Sequence, residues 1–199
     1  MNNKFHWDVW GGGTLDLKYN QVIFSTANAK PSFVSKSREG PNLFYNSVVA
    51  IDLDTGIYNW HFQEIEHDVL NLDLASRPAL YDSVDGDIVI QASKAGQLIL
   101  LDRKTGQAKE NFIEKIYYHD EKKQIYTKFK KFDDWLQFSK IIFKKNDINT
   151  LNEIYKKEAQ EIVEKSIIED YRSLKKNKNY IHYGMHGGSE WPGIGVDLN

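Results

Sequence analysis

Residues 46–78 read NSVVAIDLDTGIYNWHFQEIEHDVLNLDLASRP, and this stretch decides the fold. The β-branched residues of Ser47–Asp52 suit the pleated, half-buried surface of a strand, and the β-branched and aromatic residues of Ile57–Gln63 predict a second one. Between them, Asp54-Thr55-Gly56 predicts a tight turn, because Gly56 can adopt a positive φ without a steric penalty. The sequence therefore predicts a β-hairpin, followed by a polar loop.

The hairpin belongs to a pattern that occurs twice in the chain. From Ala50 to Trp60 the residues follow A-x-D-x-x-T-G-x-x-x-W. A degraded second copy keeps the Asp and the Thr-Gly at Asp102–Gly106 but has Glu110 in place of the tryptophan. The two turn glycines are 50 residues apart, a separation typical of one blade of a β-propeller.

Together with two further motifs, this repeat resembles a known family. The motif H-D-x-x-x-x-D-L follows the hairpin from His67, and GGSEWPG occupies residues 187–193. The combination resembles the tryptophan-docking repeat of quinoprotein dehydrogenases, which depend on pyrroloquinoline quinone (PQQ), and within them the membrane-associated glucose/quinate branch. The resemblance implies a mainly β fold: two to three blades of an eight-bladed propeller, present as an incomplete segment.

The chain divides into three predicted parts. Residues 1–107 are the partial propeller, 108–180 a helical insertion rich in Lys and Glu and lacking Gly and Pro, and 181–199 a return to the propeller. Within the insertion we expect a helix over Phe132–Lys145 and a second over residues 151–174, whose start is a capping box at Thr150–Glu153. Further strands are expected at Gly13–Leu17, Gln21–Ser25, Arg77–Tyr81, Asp87–Ala92 and Gln97–Asp102.

Composition restricts the classes of partner. The formal net charge is −2 in 199 residues, which gives no reason to expect nucleic acid or an anionic membrane. The absence of cysteine excludes disulfides and thiolate metal sites. No apolar run is long enough for a membrane span, and we see no signal peptide in the first residues. Since the family is periplasmic or membrane-associated, the location stays open.

The resemblance assigns cofactor contacts to four residues. It implies that the Trp10 indole forms the floor beneath the quinone and that Asn28, 18 positions later, is a ligand of Ca²⁺. It also implies that Lys94 reaches the quinone oxygens and that Trp191 contacts the ring. A flat ring system gains from stacking on an indole, and Ca²⁺ prefers oxygen ligands. The alternatives are that Trp10 is a core aromatic, Asn28 a turn former, Lys94 an exposed turn lysine and Trp191 a core or docking tryptophan.

The loop after the hairpin departs from the family. Relatives read H-D-x-W-D-x-D, and the Asp after the Trp is the general base that takes the alcohol proton. Here Leu70 replaces the Trp and Asn71 stands at the base position, while Asp73 keeps the second acidic position. An amide has no usable basicity near neutral pH, so catalysis is expected to be impaired. A further metal-binding carboxylate of the relatives precedes the position of residue 1.

Three functions are consistent with these features. The first is oxidation of a sugar or polyol alcohol by hydride transfer to bound PQQ, with Ca²⁺ and in an impaired form. The second is a cofactor-free propeller that serves as a binding or scaffold module. The third is a decayed gene fragment, for which a complementary propeller fragment is the expected partner because open sheet edges favour pairing with another chain.

Overall fold

The computed structural model describes residues 8–33, 36–140, 143–168, 176–182 and 188–197. The chain is mainly β. The strands are β1 (Gly13–Asp16), β2 (Gln21–Ser25), β3 (Ser47–Asp52), β4 (Tyr58–Gln63), β5 (Ile65–Glu66), β6 (Ala79–Tyr81), β7 (Ile88–Ala92), β8 (Leu98–Asp102), β9 (Phe112–Tyr118), β10 (Tyr126–Phe132), β11 (Ile167–Ile168) and β12 (Tyr180–Ile181). The described part also contains the helix α1 (Glu153–Glu164) and 3-10 turns at Asp134–Leu136 and Lys145–Asp147.

Two antiparallel sheets in succession form the body of the fold. The first sheet has the order β1-β2-β3-β4 and the second has the order β6-β7-β8. An isolated bridge between Leu101 and Ala108 extends the second sheet by a short fourth segment. All seven of these strands lie within two residues of their predicted positions, because each carries its own β-branched or aromatic pattern and its own turn.

The two Asp-x-x-Thr-Gly turns have the same hydrogen bonds. Asp52 Oδ1 accepts from the Thr55 backbone N–H at 2.8 Å and from its hydroxyl at 2.7 Å. Asp102 Oδ1 accepts the same pair from Thr105, at 2.9 and 2.8 Å. The φ values of the turn glycines are 70° and 71°. Each aspartate thus fixes its own turn through local hydrogen bonds, which explains why the turn could be predicted from the sequence.

The indole of Trp60 joins the two sheets. Trp60 is on β4, the outer strand of the first sheet, and is only 5% exposed. A Cβ atom built on Gly106 would overlap the indole carbons Cε3 and Cδ2. The tryptophan of the first repeat therefore packs directly on the turn glycine of the second.

A shared apolar core and a buried ion pair also hold the two sheets together. The buried apolar cluster contains Ile23, Val48, Ala50, Trp60, Phe62, Leu74, Val89, Ile99, Leu101, Phe132 and Leu136, which come from both sheets and from the region after them. Beside it, the Arg103 guanidinium donates to both carboxylate oxygens of Asp16, with nitrogen–oxygen distances of 2.6 and 2.8 Å. Asp16 is fully buried, so this ion pair fixes the first sheet against the second repeat.

Residues 112–132 form a β-hairpin, so the prediction of helix for residues 108–180 is wrong there. Strands β9 and β10 pair over seven residues, and β10 also pairs with β5 through Phe129 and Ile65. In β10 the side chains of Thr127 and Phe129 are buried, and they alternate with the half-buried Lys128 and Lys130. This alternation has the period of a strand, but the high Lys and Glu content masked it.

The predicted helix over Phe132–Lys145 is also absent from the described residues. β10 ends at Phe132, and one 3-10 turn at Asp134–Leu136 follows it. The backbone N–H groups of Phe138 and Ser139 donate to the Gly96 carbonyl at 2.8 and 3.1 Å. Because these donors bond to another turn rather than to the preceding helical turn, the segment stays extended.

The second predicted helix is real but shorter. α1 begins after Asn152, whose side chain accepts from the N–H groups of Ile154 and Tyr155, so Asn152 and not Thr150 is the N-cap. The helix ends at Glu164, and Ile167 lies in β11, which pairs in parallel with β12. The predicted helical positions 171 and 174 lie outside the described residues.

We predict that the two turn glycines respond differently to alanine. Gly106→Ala should lower the free energy of unfolding by about 3 kcal/mol, from backbone strain at positive φ and from overlap with Trp60. Gly56→Ala should cost about 1 kcal/mol, because Gly56 has the same φ but no atom within 4 Å of the added methyl group. Urea unfolding of both variants measures the difference, and equal losses would show that the indole contact contributes nothing.

Candidate functional site

Asp68 shapes the polar loop that follows the first hairpin. Its carboxylate accepts hydrogen bonds from the backbone N–H groups of Leu70 and Leu72 at 2.7 and 2.6 Å. The side-chain amide of Asn46 donates to it as well, at 3.2 Å. Burial raises the pKa of Asp68 above its ordinary value, partly offset by these donors. Asp68 therefore closes the loop on itself, and its role is structural.

His67 has a structural role as well. Its Nδ1 lies 3.0 Å from the Gly40 carbonyl, and its own carbonyl accepts from the Thr127 hydroxyl at 2.6 Å. The His67 ring stacks on His119 with 6.3 Å between ring centroids. Burial, followed by the proximity of His67, lowers the pKa of His119 to about 4. The pair attaches the loop to the β9–β10 hairpin.

Asn28, Asp73 and Lys94 meet at the end of the loop. The backbone N–H of Asn28 donates to Asp73 Oδ1 at 2.6 Å, and Lys94 Nζ donates to Asp73 Oδ2 at 3.0 Å. The three residues are 1%, 3% and 6% exposed, respectively. The structure therefore brings together three residues that the sequence analysis had selected separately.

A second carboxylate approaches the same ammonium group. Glu190 Oε1 lies 3.8 Å from Lys94 Nζ, and about a third of the Glu190 side chain is exposed. The preceding residues bring it there, because the Ser189 N–H donates to the Ser93 carbonyl at 3.1 Å and Gly188 lies on the Ser93–Lys94 backbone. Sequence reasoning had singled out Trp191 in this segment and had given Glu190 no role of its own.

The side chain of Asn28 supports the predicted metal-binding role. Both of its amide atoms are buried, and neither has a hydrogen-bonding partner in the described part of the chain. A buried amide without partners is costly, because its desolvation is not compensated. An oxygen-preferring cation at the amide oxygen would remove part of this cost, so the residue fits a ligand of Ca²⁺.

Trp10 lies at the surface of the protein. It is 55% exposed, in contrast to the core position that was the alternative. Its segment is held by a hydrogen bond from the Ala27 N–H to the Asp8 carbonyl at 2.9 Å. Gly11 contacts the backbone of residues 75–77 so closely that an added Cβ would lie 2.5 Å from the Arg77 nitrogen. The indole is therefore exposed on a segment whose backbone contacts Ala27 and residues 75–77, which are close in sequence to Asn28 and Asp73, respectively.

Two of the predicted residues lie outside the buried group. Asn71 has a φ of 61°, and its side-chain oxygen lies 3.4 Å from Lys30 Nζ in an exposed contact. Trp191 is 62% exposed. Among the described contacts, neither is joined to Asp73 or Lys94, so their predicted roles in the site stay predictions.

A buried acid lies next to the segment that carries Lys94. Glu64 is fully buried, and its Oε1 accepts from Gln97 Nε2 at 2.7 Å. Gln97 also donates to the Lys130 carbonyl at 2.9 Å and accepts from the Phe132 N–H at 3.2 Å. Burial raises the pKa of Glu64 to about 7, with Gln97 opposing the shift. No sequence signal distinguished Glu64 from the charged residues around it.

The arrangement can support a cofactor more readily than it can move a proton. It offers an exposed aromatic face, a buried amide oxygen suited to a cation, and one ammonium group held between two carboxylates. Both oxygens of Asp73 already accept hydrogen bonds, and the base position holds an amide. The described part of the chain contains no helix that could span a membrane.

Comparison with known proteins gives a consistent result. The family model for the β-propeller domain of glucose/ethanol/alcohol dehydrogenases (PQQ) matches residues 2–199. A quinohemoprotein alcohol dehydrogenase of Comamonas testosteroni is 32% identical over 123 residues, 54% of this chain and 17% of that protein. A glycerol dehydrogenase large subunit of Gluconobacter thailandicus is 36% identical over 104 residues, 49% of this chain and 14% of that protein.

One solved structure and one further relative are also similar to this chain. The crystal structure of the Comamonas testosteroni quinohemoprotein alcohol dehydrogenase aligns with a TM-score of 0.48 and 26% identity, covering 61% of this chain and 20% of that one. A probable quinate dehydrogenase (quinone) of Xanthomonas campestris pv. juglandis is 30% identical over 106 residues, 50% of this chain and 13% of that protein. The chain thus spans less than a fifth of the length of these curated relatives.

Glu64 should make the stability of the protein depend on pH. Because its pKa in the folded state is about 7 and its ordinary value is 4.5, the folded state binds this proton more tightly than the unfolded state. The resulting stabilisation is complete below pH 4.5 and is lost as the pH rises to 7, a change of about 3 kcal/mol.

The variant Glu64→Gln should lack this contribution, so it should be more stable than the wild type at pH 8, while the contribution of other groups such as His119 stays in both profiles. Chemical unfolding between pH 4 and pH 8 measures the effect. The control is Glu66→Gln, since the Glu66 carboxylate is partly exposed and pairs with Lys128, and it should keep the wild-type slope. A Glu64→Gln profile that parallels the wild type would contradict the assignment.

Proposed function

The chain belongs to the β-propeller domain family of glucose/ethanol/alcohol dehydrogenases, and from this membership we propose that it forms the cofactor-facing part of a PQQ-dependent dehydrogenase. The substrate class is an alcohol group of a sugar or polyol, as in the glucose/quinate branch. The single observation that carries the proposal is the buried side-chain amide of Asn28, which has no hydrogen-bonding partner among the described residues and whose backbone N–H bonds to Asp73 of the Asp73–Lys94 ion pair.

Four residues would hold the cofactor and its metal ion. Trp10 would supply the aromatic floor, and the Asn28 side-chain oxygen would bind Ca²⁺. Lys94 would place its positive charge at the quinone oxygens, where a cation stabilises developing negative charge. Trp191, which is exposed and follows Glu190 in the sequence, would contact the quinone ring from the segment of residues 188–197. When bound, PQQ would accept the hydride of the alcohol.

Removal of the alcohol proton is the step that this site supports least. Asn71 at the base position cannot take a proton, and loss of a general base costs on the order of 10²–10⁴ in rate. Asp73 keeps the second acidic position, but proton abstraction by it competes with its contacts to Asn28 and Lys94. We therefore propose binding of cofactor with impaired oxidation.

A complementary propeller segment is the proposed macromolecular partner. Gly56 has the backbone conformation of Gly106, but no atom of the described residues lies within 4 Å of a Cβ built on it. The side chains around its turn include the exposed apolar residues Leu53, Ile57 and Tyr58. An indole from another propeller segment would pack on Gly56 as Trp60 packs on Gly106.

Titration of the purified chain with PQQ and Ca²⁺ tests the proposal. We expect the quinone absorption spectrum to shift on binding, and we expect Trp10→Ala to weaken the affinity about tenfold through loss of stacking. Trp135→Ala is the matched control, because Trp135 is 66% exposed and lies outside the site. No spectral change with the wild-type chain would refute cofactor binding.

Restoring a carboxylate at the base position should raise activity. With PQQ and Ca²⁺ bound, Asn71→Asp should increase dye-linked alcohol oxidation by about 10²-fold or more over the wild type, because general base catalysis contributes that much. Asn59→Asp, which adds the same charge on β4, should not change the rate. An unchanged rate in Asn71→Asp would show that residue 71 does not face the substrate.

A further inference from the structure

Lys94 lies in a turn that is supported by segments outside the two sheets. Within the turn, the Gly96 N–H donates to the Ser93 carbonyl at 3.0 Å, and Gly96 has a φ of 80°. On one side the turn contacts residues 188–189. On the other side it contacts residues 137–139, which follow the β9–β10 hairpin.

The contacts to residues 137–139 converge on the turn's carbonyl groups. Gln137 Nε2 lies 3.0 Å from the Ala95 oxygen and 2.7 Å from the oxygens of Gly96 and Ser139. The Gly96 oxygen also accepts from the backbone N–H groups of Phe138 and Ser139. A Cβ on Gly96 would lie 2.6 Å from Ser139 Cβ, so the two segments are in close contact.

The β9–β10 hairpin, which precedes residues 137–139, also contacts the loop that carries Asp73. Strand β10 pairs with β5, and Thr127 on β10 donates to the His67 carbonyl at the start of the loop that carries Asp73. Gln97, directly after the lysine turn, donates to the Lys130 carbonyl on β10. The hairpin and the residues after it thus contact both the Asp73 loop and the Lys94 turn.

From these contacts we infer that Gln137 is a positioning residue for Lys94. Its amide holds the carbonyls of the turn, and the turn places the ammonium group 3.0 Å from Asp73. The inference deepens the proposed function, since it concerns the lysine that would face the quinone.

The physical reason lies in the shortness of the turn. Only Ala95 separates Lys94 from Gly96, and the glycine at positive φ adds no side chain that could pack. Besides the hydrogen bond inside the turn and the burial of Ala95, the contacts that fix the turn come from other segments, and Gln137 Nε2 reaches two successive carbonyls of the turn. Without this donor the Ala95 carbonyl loses its side-chain partner, whereas the Gly96 carbonyl keeps the N–H groups of Phe138 and Ser139. A buried carbonyl without a partner costs free energy if the turn does not move. Movement of the turn relieves that cost and displaces Lys94.

The test is the reactivity of Lys94 towards an acetylating reagent in the purified chain, followed by peptide mass spectrometry. The Lys94 side chain is 5% exposed, so labelling of the wild type should be slow. We expect Gln137→Leu to speed labelling of Lys94 about tenfold, the effect of one lost buried hydrogen bond. The affinity for PQQ should fall by a similar factor.

Gln63→Leu is the matched control. Gln63 Nε2 also lies within hydrogen-bond distance of three carbonyl oxygens, those of Pro41, Asn42 and Tyr45, but it does not contact the lysine turn. This variant should lose stability comparably while Lys94 labelling and PQQ affinity stay at the wild-type level. If Gln137→Leu fails to fold, Gln137→Asn, which withdraws the amide by one methylene, carries the same expectation.

The outcomes separate the two proposals. Equal Lys94 labelling in the Gln137 and Gln63 variants overturns the positioning role. Faster labelling in the Gln137 variant, together with a wild-type chain that does not bind PQQ, supports the positioning role and overturns the proposed function. Faster labelling with a matching loss of PQQ affinity supports both.

Discussion

The packing of Trp60 on Gly106 is the contact on which the rest of the structure depends. It joins the outer strand of the first sheet to the turn of the second, over 46 residues of sequence. Only a glycine fits at that position, since a side chain would overlap the indole and positive φ would strain it. The Asp16–Arg103 ion pair and the shared apolar core lie on the same joint and fix the relative position of the two sheets.

The candidate site lies where loops from both sheets meet. Asn28 follows a strand of the first sheet, Lys94 lies between two strands of the second, and Asp73 lies in the segment that connects the sheets. Fixing the sheets against each other therefore fixes the distances among these three residues. Elsewhere in the loops, the side chains of Asp68, His67 and Gln97 form hydrogen bonds with backbone groups, which hold the loop backbones in place.

Family membership and local geometry give different information about function. Membership identifies the fold, while the geometry shows where the residues proposed for the site lie. Asn28 and Lys94 are buried and both bond to Asp73, and Trp10 is exposed. Because Asn71 stands at the proposed base position, we propose that cofactor binding and turnover are separable in this chain.

The sequence by itself determined the hairpins, because each Asp-x-x-Thr-Gly turn is held by hydrogen bonds within five residues and each strand carries its own side-chain pattern. It also pointed to Trp10, Asn28, Asp73 and Lys94 through their motifs. Only the tertiary structure decided that Asn28, Asp73 and Lys94 touch, that Glu190 and Gln137 support the lysine, and that residues 112–132 form strands. Those features depend on partners distant in the chain: β10 is a strand because β5 and β9 pair with it, whereas its lysine-rich composition alone favoured a solvated helix.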